Sequence, residues 1–413
     1  MYAMKELPGY DWSKHDGPET PIRATREYVE LQEETLRDGL QGTQVGSHPE
    51  EEQKLIYIKE TSKYADKIDL GFPGSSDWQK KEITRLLSQF VKQDIDMIPM
   101  VTGRGTDKSD VEAIIDVVNE LDGFLVEAYI FLDGSRERAI LQGWDRNEMI
   151  SSLGENIRLL RSHNIPVGFV AERSTSTRPD DLRELFSVAL DEGAQVLVIP
   201  DTQGRAEDEA IRNICRWLLS NFSTYDGVSF EAHFHNSRGL AVSNTLIAAK
   251  EGFDRVDVTF GAIGEGAGNA DYIATIFNLN REGLRNDDLS GLGRFKEIAS
   301  GLLNYEIPPN TPLYGENAWD VSSGPHQSAV LEGLRKDSSE GDIYFCVDPA
   351  ELGEKVRVKI GPSSGRSGIR YILLQQKIEP TDKLVNEILS FAKKGRGYIS
   401  IESILNMAAN HEK

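Results

Sequence analysis

Eight short apolar runs, rich in β-branched residues, alternate with longer amphipathic stretches over the first two thirds of the chain. The runs lie at residues 28–35, 67–72, 95–101, 124–131, 166–172, 195–200, 228–235 and 255–260. The amphipathic stretches occupy 50–64, 78–92, 108–121, 146–163, 180–192, 206–221 and 240–252, with a last one from about residue 269. Near-continuous hydrophobic strands separated by helices indicate a parallel sheet. Eight such units predict an α/β fold, a closed (β/α)8 TIM barrel, with an open doubly wound sheet as the alternative. No sequence repeat accompanies the structural one.

A barrel of this kind takes about 250 residues, and the chain has 413. After about residue 280 the rhythm changes. Residues 287–305 read as a helical connector and Ile307-Pro308-Pro309-Asn310-Thr311-Pro312 as a rigid linker. Residues 313–376 read as a loop-rich region with many Gly and Ser, and 381–409 as two helices broken at Gly395-Arg396-Gly397. The expected organisation is an N-terminal arm (1–27), a catalytic barrel (28–282) and small, mainly helical C-terminal subdomains (283–413).

A net charge of −21 repels nucleic acid and anionic membrane, and both are set aside as partners. An anionic substrate must then be drawn in by a local basic site. No apolar run approaches the ~20 residues needed to span a bilayer, and the polar N-terminus has no secretory h-region. The two cysteines, Cys215 and Cys346, are far apart, which fits a reducing cytoplasm.

Sites in such barrels lie at the C-terminal ends of the strands. Run 7 ends in Glu231-Ala232-His233-Phe234-His235-Asn236. Side chains two apart on a strand share a face, so His233 and His235 can look into the barrel mouth together. Two neutral imidazoles side by side suit a divalent metal; two hydrogen-bonded core histidines are the plainer alternative. Run 1 ends in Arg37-Asp38-Gly39, where Asp38 offers an oxygen ligand and Arg37 a fixed cation for an enolate or oxyanion; a surface pair at a turn explains them equally well. Run 8 leads into the Gly-rich stretch 261–269, which lacks the Lys-Ser/Thr ending of a P-loop and closes on Asn269, a carboxamide able to complete a metal site. Thr202, after run 6, is a candidate to hydrogen-bond a carboxylate. Glu172-Arg173, after run 5, pairs a candidate acid/base with a cation. For each of these, ordinary turn chemistry is the competing explanation.

Together the pieces resemble one family, the HMG-CoA-lyase-like (DRE-TIM) metallolyases, which includes 2-isopropylmalate, homocitrate and citramalate synthases and HMG-CoA lyase. The resemblance is carried by Glu34-Thr35-Leu36-Arg37-Asp38-Gly39-Leu40-Gln41, Asp69-Leu70-Gly71-Phe72-Pro73, Asp201-Thr202-Gln203-Gly204, His233-Phe234-His235-Asn236 and Gly264-Glu265-Gly266-Ala267-Gly268-Asn269. It implies a divalent metal (Mg²⁺, Mn²⁺ or Zn²⁺) held by Asp38, His233 and His235, with Asn269 as a further ligand. It implies that Arg37 stabilises the developing enolate, that Thr202, Gln41 and Arg37 bind a 2-oxo acid, and that Glu172 belongs to the acid/base set.

The region after the barrel separates the family's branches. Ser323-Gly324-Pro325-His326-Gln327 and Tyr344-Phe345-Cys346-Val347-Asp348-Pro349 resemble synthase segments. There, a His at the place of His326 and a Tyr at that of Tyr344 reach the partner subunit's site, which implies a swapped homodimer. By the same resemblance, the leucine-sensing regulatory domain that follows the final helices in many 2-isopropylmalate synthases is expected to be missing. Gly266, Ser237 and Asp69 depart from the family's usual Arg, Asp and Glu. Such changes around a ligand set shift metal affinity or substrate choice. The function implied is a cytoplasmic acyltransferase of amino-acid-biosynthesis type. It joins acetyl-CoA, or another acyl-CoA, to a 2-oxo acid by a metal-assisted Claisen condensation with thioester hydrolysis, with His326 as first candidate acid/base. A metal-dependent carbon–carbon lyase on the same barrel, and a barrel retained only for binding, are the alternatives.

Overall fold

The computed structural model describes residues 9–121, 123–335 and 344–411, so residues 1–8 of the expected arm and 336–343 of the loop-rich region lie outside the described residues. The chain divides into two compact units, Met1–Asp287 with Ile298–Tyr305, and Asp288–Glu297 with Glu306–Lys413.

The first unit is a closed barrel of eight parallel strands in sequence order. They are β1 (Glu30–Glu33), β2 (Lys67–Asp69), β3 (Ile98–Arg104), β4 (Glu127–Leu132), β5 (Val167–Ala171), β6 (Val196–Asp201), β7 (Ser229–Phe234) and β8 (Arg255–Val258). Closure is made by β1 on β8, with Glu30 opposite Arg255 and Glu33 opposite Val258. The TIM barrel expected from the eight runs is therefore the fold, and the open sheet is excluded.

Around the strands lie α1 (Glu51–Thr61), α2 (Asp77–Gln93), α3 (Lys108–Asn119), α4 (Arg136–Gln142), α5 (Arg146–Ser162), α6 (Pro179–Asp191), α7 (Asp208–Phe222), α8 (Ala241–Lys250) and α9 (Tyr272–Arg281), followed by α10 (Leu292–Leu303). Their starts are written in the sequence. Ser76, Asp107 and Asp145 each accept a backbone N–H from the first turn of α2, α3 and α5, and Pro179 opens α6. Such caps are worth about 1 kcal/mol each. On α7, Ile211, Ile214, Cys215, Leu218 and Phe222 follow helical spacing and are buried, which is why this stretch packs as a helix. The short α4 was not expected from the sequence. It is bounded by the Ser135 cap and by Gly143, in left-handed conformation at φ 68°.

The N-terminal arm is bound to the barrel. Trp12 is buried and meets Trp217 of α7 edge-on at 5.4 Å. Its indole N–H donates to the carbonyls of Ser174 (3.2 Å) and Thr177 (3.1 Å), in the turn after β5.

The barrel interior departs from the usual layers of branched apolar side chains. Lys67 and Arg255 both reach the Glu127 carboxylate, at 2.8 and 3.0 Å, and Tyr129, Glu231 and Asp257 are buried further along.

The second unit has its own core. A two-residue parallel pair, β9 (Asp320–Val321) with β10 (Arg357–Val358), packs with α11 (Gly324–Arg335), α12 (Arg366–Gln375), α13 (Asp382–Lys394) and α14 (Ile401–His411). Val330, Ile369, Leu373, Val385, Ile388 and Ile404 are fully buried there. Two helices, α11 and α12, thus stand in the region read as loop. Among the described residues, no helix is long and apolar enough to cross a membrane. Cys215 is buried, Cys346 is exposed, and both are free thiols.

Candidate active site

The C-terminal ends of the strands enclose a cavity of about 250 Å³. Seven of the residues singled out from the sequence line it: Arg37, Asp38, Gln41, Glu172, Thr202, His233 and His235.

The period of two along β7 turns Glu231, His233 and His235 to one side. His233 Nε2 lies 3.3 Å from His235 Nε2 and 3.3 Å from Asp38 Oδ2, and His235 Nε2 lies 3.9 Å from the same carboxylate oxygen. One ligand atom from each of Asp38, His233 and His235 falls within 4.8 Å of the other two. Asp38 is set by a single helical turn after β1, and its Oδ1 accepts the N–H of Glu265 at 3.2 Å. Asn269 bridges the backbone of His235. Its side-chain Oδ1 is buried without a hydrogen-bond partner among the described residues. Close approach of these groups needs Gly264. A Cβ there, at φ 153°, would stand 2.4 Å from Asn269 Nδ2 and 3.0 Å from Asp38 Oδ1.

Electrostatics sharpen the picture. Burial alone would raise the Asp38 carboxyl, but Arg37 and the two imidazoles outweigh it and hold it well below the usual carboxylate range. Burial pulls His233 down, yet its bonds to Asp257 and Asp38 push it up to about 10. Burial and the neighbouring His233 push His235 down to about 4. The cluster therefore gathers positive charge against Asp38. An ionised carboxylate, two facing ring nitrogens and an orphaned carboxamide oxygen form a donor set that fits a divalent cation.

Arg37 stands beside this cluster, held by three carboxylates. It pairs with Glu34, with Asp38 Oδ2 at 3.2 Å and with Asp69 Oδ2 at 3.2 Å. Asp69 is buried and also takes the Thr102 hydroxyl and the Gly71 N–H. The guanidinium is fixed in place, as an oxyanion partner requires. Thr202 Oγ1 accepts the Arg173 N–H at 3.0 Å, so its own proton is free to donate. Arg173 adopts left-handed backbone geometry at φ 60°, a sparsely populated state for a residue with a side chain. Burial, with Asp133 nearby, raises the Glu172 carboxyl, the direction a general acid/base near neutral pH needs. Gln41 lies exposed at the rim. Gly266, at φ 63°, would direct a Cβ into open space, so the family's usual side chain is absent from an unobstructed position.

His326 and Tyr344 belong to the second unit. Their rings stack at 4.3 Å and 29°, and Ser323 Oγ lies 2.8 Å from His326 Nδ1. The neighbouring Gln327 is buried and donates to the Ser322 and Lys359 carbonyls, at 3.1 and 3.0 Å, while accepting the Gly365 N–H. In this motif the Gln clamps the loop and the His is left exposed.

Several cavity residues were given no role from the sequence: Glu34, Thr102, Tyr129, Phe131, Glu231, Asp257 and Glu265. Strand alternation was the available signal for two of them. Glu231 is two residues before His233, and Asp257 lies between the outward-facing Val256 and Val258.

Comparison with known proteins places these residues in context. A family model described as HMGL-like matches residues 28–298. A probable 2-isopropylmalate synthase of Methanosarcina mazei is 28% identical, over 100% of this chain and 77% of its own length. Homocitrate synthase AksA of Methanopyrus kandleri is 28% identical, over 87% of this chain and 85% of its own. Among solved structures, the HMG-CoA lyase of Brucella melitensis superposes with a TM-score of 0.56 at 18% identity, covering 67% of this chain and 99% of the lyase.

Proposed function

The chain belongs to the HMGL-like family, and from that premise we propose an acyltransferase that condenses acetyl-CoA, or another acyl-CoA, with a 2-oxo acid and hydrolyses the thioester. The observation that carries this reading over a lyase is the reach of the likeness. The synthase relatives match up to the whole chain, the second unit included, whereas the HMG-CoA lyase fold spans 67% of it.

The walls of the cavity narrow the substrate. Phe72, Phe131, Val170, Val198 and Pro200 form an apolar side. Among the described lining residues Arg37 is the one permanent cation, and three carboxylates already meet it. A second substrate carboxylate would be buried without a partner, which is costly. The 2-oxo acid is therefore one with an apolar side chain, such as 2-oxoisovalerate, rather than 2-oxoglutarate or oxaloacetate.

Thr202 donates its hydroxyl proton to the carboxylate of the 2-oxo acid. Asp38, His233 and His235, with Asn269 beside them, would hold a divalent cation, whose Lewis acidity polarises the substrate carbonyl and offsets charge on its oxygen. A base takes a proton from the acyl-CoA α-carbon, and His326 is the first candidate and Glu172 the second. The carbanion electrons form the new bond to the 2-oxo carbon, while the carbonyl π electrons move to oxygen. Arg37 faces the oxyanion charge that develops. A proton completes the hydroxyl, and water then displaces the CoA thiolate from the acyl carbon. His326 and Tyr344 serve the partner's cavity in a homodimer.

The test is free-thiol release from acetyl-CoA with pyruvate, 2-oxoisovalerate, 2-oxoglutarate and oxaloacetate in turn. Release dependent on an apolar 2-oxo acid is expected. Aldehyde or ketone release from a hydroxy acid, with no 2-oxo-acid-dependent thiol, rejects the synthase.

A further inference from the structure

His233 is gripped on both edges of its ring. Its Nε2 faces Asp38 and His235, and its Nδ1 lies 2.9 Å from Asp257 Oδ2. A ring that donates its Nδ1 proton to a carboxylate keeps the Nε2 lone pair free and aimed. Asp257 is itself buried. It is 3% exposed, on β8, with neighbours Val256 and Val258 fully buried on the other face. Asp257 Oδ1 and Glu231 Oε1 are both buried with no hydrogen-bond partner among the described residues, and each carboxyl acts on the other electrostatically. The other oxygen of Glu231 accepts the Tyr129 hydroxyl at 2.6 Å. Tyr129 accepts from Arg255 at 2.9 Å, and Arg255 also binds Glu127. A file of polar side chains thus runs through a barrel interior that would ordinarily be apolar. Burying so many charges brings little stability against an apolar core. The arrangement makes sense if the file fixes the ring at its end.

We propose that Asp257 is a positioning residue for His233: it sets the ring's orientation and its Nδ1–H tautomer. The inference rests on Asp38, His233 and His235 being ligands, as the proposed function has them, and not on the reaction that follows.

The experiment is calorimetric titration of metal-stripped full-length protein with Mn²⁺, with folding followed by circular dichroism and thermal melting. Asp38→Ala is the control for the ligand set and should lose Mn²⁺ binding. Asp257→Ala should bind Mn²⁺ roughly 10- to 100-fold more weakly. Asp257→Asn, which keeps an acceptor without the charge, should fall between it and the unaltered protein, and it serves alone if the alanine variant does not fold. In the Zn²⁺-loaded protein ¹⁵N-histidine NMR should show His233 protonated at Nδ1, a signature lost in Asp257→Ala. If Asp38→Ala loses Mn²⁺ while both Asp257 variants bind it with unchanged affinity, the positioning role is wrong. If Asp38→Ala binds Mn²⁺ normally, the ligand set fails and the role of Asp257 fails with it.

Discussion

His235 Nε2 lies 3.3 Å from His233 Nε2 and 3.9 Å from Asp38 Oδ2, so side chains from β7 and from the loop after β1 converge on one point. One carboxylate oxygen and two ring nitrogens at such distances form a donor set that a divalent cation would complete. Asp38→Ala and His235→Ala should therefore lose bound metal and turnover together, as read by metal analysis of the purified variants beside the thiol assay. A variant that retains full metal content with turnover gone would move that residue from ligand to some other role.

Arg37 should behave differently. It is held by Glu34, Asp38 and Asp69, and the proposed reaction sets its charge against the substrate oxygen rather than the cation. Removing one donor to a developing oxyanion typically costs about 10²–10³-fold in kcat. Arg37→Ala should lose at least that much with metal content unchanged. Arg37→Lys should recover little, because an ammonium cannot meet three carboxylates in a planar fork. Near-normal kcat in Arg37→Ala sinks the assignment.

The contrast between these residues and those behind them shows what a sequence exposes. His233, His235, Arg37 and Asp38 stand where apolar runs give way to polar residues, and a polar group at a strand's end stands out. Glu231 and Asp257 lie inside the runs, where one charged residue among valines and phenylalanines reads as noise until alternation is counted. The eight-strand barrel was legible because the rhythm repeats. Helices α11 and α12 were not: α11 opens on Gly324-Pro325 and α12 on Arg366-Ser367-Gly368, compositions that suit loops. Mutual burial of Val330, Leu331, Ile369 and Ile372 overrides that weak local preference, as tertiary packing does in most short helices.

Thr202 gives a cleaner test of substrate binding than any charged residue. Its oxygen accepts the Arg173 N–H, which leaves the hydroxyl proton to be donated, and the residue lines the cavity. Thr202→Val keeps the shape and removes the donor. A hydrogen bond to a charged group is worth about 1.5–3 kcal/mol, so kcat/KM for the 2-oxo acid should fall roughly 10- to 100-fold. Thr202→Ser should restore most of it, and KM for acetyl-CoA should stay unchanged. A drop expressed only in KM for acetyl-CoA would place Thr202 on the other substrate.

Glu33 makes a prediction about stability and pH that is independent of the reaction. It is fully buried at the end of β1. One carboxyl oxygen accepts from the Thr35 N–H at 3.0 Å, the Thr35 hydroxyl and the Tyr57 hydroxyl at 2.9 Å, while the other has no partner among the described residues. Burial raises this carboxyl from 4.5 to about 8, against the opposing bonds from Thr35 and Tyr57. The folded state therefore keeps a proton that the unfolded chain gives up above pH 4.5. Stability from this group is complete below the unfolded value, declines as pH rises, and is gone above about 8. Glu33→Gln cannot ionise and escapes that decline. Its melting temperature relative to the unaltered protein should climb between pH 5 and pH 8, by roughly a few degrees for each kcal/mol recovered. Measuring both proteins side by side cancels every other titrating group they share. A difference in melting temperature that stays flat across the same range would mean that Glu33 is ionised in the fold, and that some cation or donor near its unpartnered oxygen offsets the cost of burial.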